Sequence, residues 1–78
     1  MLLQEQMKTY PFSNSERIIV DYILQKQDEI KDYSTKMIAD ETYTSPSTLI
    51  RISKKLGFQG WNEFKETFLH EINYLNSH

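Results

Sequence analysis

Arg51, Lys54 and Lys55 follow Ser45, Pro46, Ser47 and Thr48, and no acid interrupts the stretch from Ser45 to Asn62. These residue types suit recognition chemistry rather than catalysis. A guanidinium can donate in parallel to guanine O6 and N7 or grip a phosphate. Ammonium groups neutralise phosphates, and short hydroxyls reach base edges or the phosphate backbone. To act together, they must share one face of a helix. Leu49, Ile52 and Leu56 recur at helical spacing and supply a buried stripe. Ser47, Thr48, Arg51, Lys54 and Lys55 then form the opposite face, with Ile50 beside it. Ser45 can accept hydrogen bonds from the free N–H groups of the first turn, and Pro46 suits a position where an N–H is not needed. Gly57 can close the C-terminus in the left-handed conformation, with Lys54 and Lys55 placed favourably against the dipole. Such a helix fits the major groove of duplex DNA. An ordinary capped amphipathic surface helix carries the same pattern, so the neighbouring elements must decide.

The segment Ser34 to Thr42 reads as a second short helix, capped by Ser34, with Ile38 and Ala39 or Met37 facing inward. Only Tyr43 and Thr44 separate it from the cap at Ser45, which is the spacing of a helix-turn-helix. Ala39 offers the small side chain that two helices need where they cross steeply. The positioning elements are helical throughout. Leu2, Leu3, Met7 and Tyr10 predict a short first helix ended by Pro11. Ser13-x-x-Glu16 is a capping-box pattern, and Phe12 can pack back on the helix that follows to about Gln27, with Ile19, Tyr22, Ile23 and Leu24 inward. Asp28 to Tyr33 predicts a short turn or helix with Ile30 and Tyr33 as plugs. The last helix starts near Gly60, with Trp61, Phe64, Phe68, Ile72 and Leu75 on one stripe and Glu63, Lys65, Glu66, Glu71 and Asn73 at the other positions. No alternating β-branched run or Asn-Gly turn signals a strand.

Enzyme chemistry finds little support. His70 and His78 are the only histidines. His78 is terminal, and His70-Glu71 has no second ligand at zinc-binding spacing. Gly57 and Gly60 cannot form a phosphate-cradling loop. Ser13, Ser34, Ser45 and Ser47 sit at predicted helix starts, where capping explains them. No catalytic residue, metal or cofactor is expected.

From Pro11 to about Glu71 the chain resembles the N-terminal helix-turn-helix domain of the RpiR family of bacterial transcription regulators. The resemblance rests on the run Ser13 to Leu24, on Ile38-Ala39, and on Ser45-x-x-Thr48-Leu49-Ile50-Arg51. It closes with the run Lys54 to Gly60 and with Phe64-Lys65. It implies an all-α, homeodomain-like bundle of about five helices, one domain over 1–78, with the helix-turn-helix at about 34–57. It further implies sequence-specific binding to double-stranded operator DNA, usually by a homodimer, in the control of sugar or amino-sugar metabolism. The DNA-binding set expected is Ser45, Pro46, Ser47, Thr48, Arg51, Lys54 and Lys55. The resemblance also implies a C-terminal sugar-isomerase-type domain that senses a phosphorylated sugar; it is expected to be absent here, leaving a headpiece without its sensor. Many members have Gly where this chain has Tyr43 and a β-branched apolar residue where it has Thr44. A Tyr at positive φ carries a conformational cost.

Composition sets the bounds. Seventy-eight residues make one small domain with a modest core. A hydrophobic content of 38%, with one Trp, five Tyr and four Phe, favours a folded domain over disorder. Cysteine is absent, so no disulfide supports the fold. No apolar run has membrane-spanning length, and the Met1 to Glu5 start lacks a secretion signal's pattern, which reads as cytoplasmic. A net charge of −2 is low for a nucleic-acid binder, but it is unevenly distributed. Between Asp21 and Glu41, Asp21, Asp28, Glu29, Asp32, Asp40 and Glu41 outnumber Lys26, Lys31 and Lys36. One face can approach phosphate while another faces solvent, with modest non-specific affinity. The alternative function is a helical protein-interaction module using the Trp61 to Leu75 stripe or the N-terminal Leu2-Leu3-Met7 face to grip a partner. The apolar positions Leu2, Leu3, Met7, Ile72 and Leu75 are candidates for joining two copies.

Overall fold

Three helices begin where a side chain accepts their first N–H groups: Ser13, Ser34 and, from far along the chain, Glu71. The computed structural model describes residues 2–77, so the expectations for Met1 and for a terminal, unligated His78 lie outside the described residues. Five α-helices follow in order: α1 (Leu3–Thr9), α2 (Asn14–Lys26), α3 (Thr35–Glu41), α4 (Pro46–Lys55) and α5 (Trp61–Ser77). A 3-10 helix, Gln27–Asp32, joins α2 to α3, and no strand occurs among the described residues.

The capping box of α2 is complete. The Glu16 backbone N–H donates to Ser13 Oγ at 3.4 Å, and the Ser13 N–H donates to Glu16 Oε1 at 2.9 Å. Ser34 caps α3 by accepting the Met37 N–H at 3.1 Å. The C-termini of α3 and α4 share one closure. At α4, Phe58 N–H donates to Ser53 C=O and Gly57 N–H to Lys54 C=O, both at 3.0 Å, with Gly57 at φ +96°. At α3, Thr44 N–H donates to Ala39 C=O at 2.9 Å and Tyr43 N–H to Asp40 C=O at 3.4 Å, with Tyr43 at φ +56°. Both are Schellman closures, and Tyr43 occupies the left-handed position that glycine usually takes.

The aromatic residues of α5 run through the centre. Phe64 and Phe68 are fully buried, with ring centroids 6.0 Å apart, and Phe58 meets Phe64 edge-on at 5.7 Å. Met7, Ile19, Val20, Ile23, Ile30, Ile38, Ala39, Leu49 and Ile52 close around them. Truncating either phenylalanine to alanine should cost about 3–5 kcal/mol, as expected for a buried aromatic side chain.

Two expectations are corrected by this packing. Leu3, Met7 and Ile72 belong to the core and cannot join two copies, while Leu2 and Leu75 remain exposed. The Trp61 to Leu75 stripe is spent internally through Ile72, so it does not offer a free surface to a partner protein. Off that stripe, Glu71 gains a role that its own helix does not signal: both of its oxygens accept backbone N–H groups of α1.

Candidate nucleic-acid interface

Helix α4 touches α2, α3 and α5, and these contacts leave one strip of its surface open. Thr48, Leu49, Ile52 and Ser53 face inward, with Leu56 half-buried beside them. Ser47, Ile50, Arg51 and Lys54 face outward, at the i, i+3, i+4, i+7 spacing of a single helix face. Packing on three neighbours makes the buried arc wide enough to take in two hydroxyl residues. Ser53, fully buried, donates to the Leu49 carbonyl at 2.8 Å, which satisfies its hydroxyl within the helix.

The sequence places Thr48 on the outward face, but the structure buries it at 6% exposure. Ser45 also departs from expectation. It stands at the N-cap with extended backbone, yet its hydroxyl makes no bond to a first-turn N–H. It lies instead 2.9 Å from Ser47 Oγ and 3.3 Å from Thr48 Oγ1. Three hydroxyls thus share hydrogen bonds at the start of α4, and the exposed Ser45 and Ser47 keep spare donor and acceptor capacity. Pro46 is exposed at the first helical position, as expected.

The cations are not equivalent. Arg51 donates from Nε to Glu16 Oε2 at 2.8 Å, while its side chain remains 53% exposed. Lys55 Nζ lies 2.9 Å from Glu16 Oε1 and 2.8 Å from Oε2. Lys54 is exposed and has no ion pair among the described residues. Glu16 itself is buried, its side chain 1% exposed. Burial opposes its ionisation, but hydrogen bonds from Lys55, Arg51 and Ser13 outweigh that and hold its carboxyl down to about 2. Sequence reasoning gave Glu16 only its capping role, since nothing local relates it to residues 35 and 39 positions away. One buried anion against three cations leaves the face with a net charge of about +2.

The turn before α4 is held from within. Thr42 Oγ1, buried, donates to the Ile38 carbonyl at 2.8 Å and lies 2.9 Å from Thr44 Oγ1. Ala39 is fully buried in the α3 surface of the core, as its size suggests. Among the described residues, no group of three or more metal-binding side chains comes together, and no helix is long and apolar enough to cross a membrane.

Two helices joined by a closed turn, the second carrying a polar and cationic open face, agree with comparison to known sequences. The profile of the rpiR-family helix-turn-helix domain matches residues 1–74. The chain belongs to the RpiR family. This RpiR-family domain is 36% identical over 75 residues to an uncharacterised HTH-type transcriptional regulator of Clostridium perfringens, covering 94% of this chain and 27% of that protein. It is 27% identical over 64 residues to YfhH, an uncharacterised HTH-type transcriptional regulator of Escherichia coli K12, covering 82% of this chain and 23% of that protein. The RpiR-family chain thus spans about a quarter of the length of these relatives. No solved structure shows a significant match to it.

Proposed function

We propose that this domain binds duplex DNA sequence-specifically as the headpiece of a transcription regulator, with α4 lying in the major groove. The open face of α4 carries the reading: Ser47, Ile50, Arg51 and Lys54 point away from a helix that is otherwise anchored on three sides. In this reading Arg51 reaches a guanine edge or an adjacent phosphate, and Ser45 and Ser47 offer hydroxyls near the helix start. Pro46 sets the first turn against the groove wall, Thr48 supports it from beneath, and at the far end Lys54 supplies positive charge while Lys55 is held against Glu16. Two copies on one duplex, each making few contacts, would gain affinity from high effective concentration. The RpiR resemblance extends the proposal to operators of sugar or amino-sugar genes, to action in the cytoplasm, and to a phosphosugar effector bound by a separate sensor domain.

The test is selection of duplexes from a random library by the chain, followed by mobility shift of the recovered duplex against a random one. Arg51→Ala should weaken binding to the recovered duplex by about 1–3 kcal/mol and relax preference at one base pair. A folded Arg51→Ala chain that keeps full affinity and preference would remove α4 as the reading helix.

A further inference from the structure

We propose that Glu16 is the positioning residue of the reading face, fixing the Arg51 guanidinium toward DNA and drawing Lys55 away from phosphate. The inference rests on the DNA-binding reading above and gives it a mechanism from outside the helix-turn-helix.

The geometry of Glu16 exceeds what helix capping requires. A capping box needs one carboxylate oxygen for the Ser13 N–H, and Oε1 supplies it. Oε2 accepts Arg51 Nε, and Lys55 Nζ bridges both oxygens. The carboxylate is almost wholly removed from solvent, whereas Arg51 and Lys55 keep 53% and 37% of their side chains exposed. A buried anion with cationic partners is seldom a better source of stability than well-packed apolar side chains, so stability alone is a weak reason for the arrangement. What it supplies is direction. The Nε bond uses the inner edge of the guanidinium and leaves the two terminal nitrogens, which have no hydrogen bond among the described residues, free to donate outward. An arginine on an open helix face otherwise loses rotamer freedom when it binds, and anchoring it beforehand removes part of that loss. Because the anchor stands on α2, the orientation of Arg51 also reports the seating of α4 on α2.

Glu16→Gln keeps an oxygen for the Ser13 N–H but removes the charge that holds both cations. With the duplex recovered by the wild-type chain and a random duplex as probes, binding to the recovered duplex should weaken about tenfold. Binding to the random duplex should hold or tighten, with a salt slope steeper by about one unit as Lys55 is released. Equal loss on both duplexes, or no loss on either, overturns the positioning role. A second measurement needs neither the variant nor DNA: the Arg51 Nε–H of the free wild-type chain should give a resolved, slowly exchanging NMR signal. A rapidly exchanging Nε–H would overturn the proposal even if DNA binding is confirmed. A protected Nε–H in a chain that shifts no duplex would overturn the DNA reading while leaving the grip of Glu16 on Arg51 established.

Discussion

The Glu71 carboxylate accepts the backbone N–H of Leu3 at 2.7 Å and that of Gln4 at 3.0 Å, so the last helix caps the first. Helix α1 has only seven residues and no side-chain cap from Leu2. A helix that short does not persist alone in water. Its other end is held too: Arg17 donates to the Met7 and Tyr10 carbonyls at 2.8 and 2.7 Å while lying over the Phe12 ring. Helix α1 is therefore clamped at both ends by α5 and α2.

Removing the first clamp should loosen α1 before it unfolds the domain. Glu71→Ala is expected to lower stability by about 1–2 kcal/mol, the scale of a lost N-cap. In hydrogen exchange, amides of α1 should lose protection more than those of α4. Uniform loss across all helices would mean that Glu71 acts through the core instead.

Glu16 makes stability depend on acid. Its folded carboxyl titrates at about 2, against 4.5 for an unperturbed glutamate, so the unfolded chain takes up a proton first as pH falls. The stabilisation is complete above the unfolded value and is lost as pH drops from about 5 toward 2. It amounts to roughly 3 kcal/mol, from a shift of about 2.5 units at 1.36 kcal/mol each. Urea denaturation at stepped pH should show this slope, and Glu16→Gln should flatten it. An acid limb unchanged in the variant would assign the titration to other carboxylates.

Lys54 and Lys55, alike in the sequence, should separate in their salt dependence. Lys54→Ala should lower the slope of log affinity against log salt by about one unit, since its ammonium has no ion-pair partner among the described residues. Lys55→Ala should change the slope by less, because its charge is already matched to Glu16. Equal effects on random duplex DNA would place both ammonium groups on phosphate.

Tyr43 is 96% exposed and held at φ +56°, so it bears a backbone penalty with little packing to offset it. Left-handed backbone costs an ordinary residue about 1–2 kcal/mol, and asparagine tolerates it better. Tyr43→Asn should raise stability by about 0.5–1 kcal/mol, and Tyr43→Val should lower it. Thermal unfolding of the pair, moving in opposite directions, checks the strain. Movement in the same direction would place the effect of Tyr43 in side-chain contacts.

Much of the fold was legible because helix signals are local. The capping box at Ser13 and Glu16, the cap at Ser34, the closure at Gly57 and the stripe through Trp61, Phe64, Phe68 and Ile72 each lie within a few residues. Their physics acts over one or two helical turns. The position of the candidate reading helix was legible for the same reason, from Pro46 at its start to Lys54 and Lys55 at its end.

What the residues of α4 face was decided by the tertiary structure. Periodicity marks the centre of a buried stripe, but its width depends on how many neighbours pack against the helix. Contact with α2, α3 and α5 widened it to include Thr48 and Ser53. Ser45 followed the cap rule in backbone but not in side chain, because two neighbouring hydroxyls competed for its oxygen. Leu3, Met7 and Ile72 appeared spare only while α1 had no known place to dock. The joining of Glu16 to Arg51 and Lys55, and of Glu71 to Leu3 and Gln4, spans 35 to 68 positions. Groups that far apart in sequence meet only when helix packing brings their backbones together, so sequence alone determined which helices form, and the packing of α2 on α4 and of α1 on α5 determined which of these groups meet.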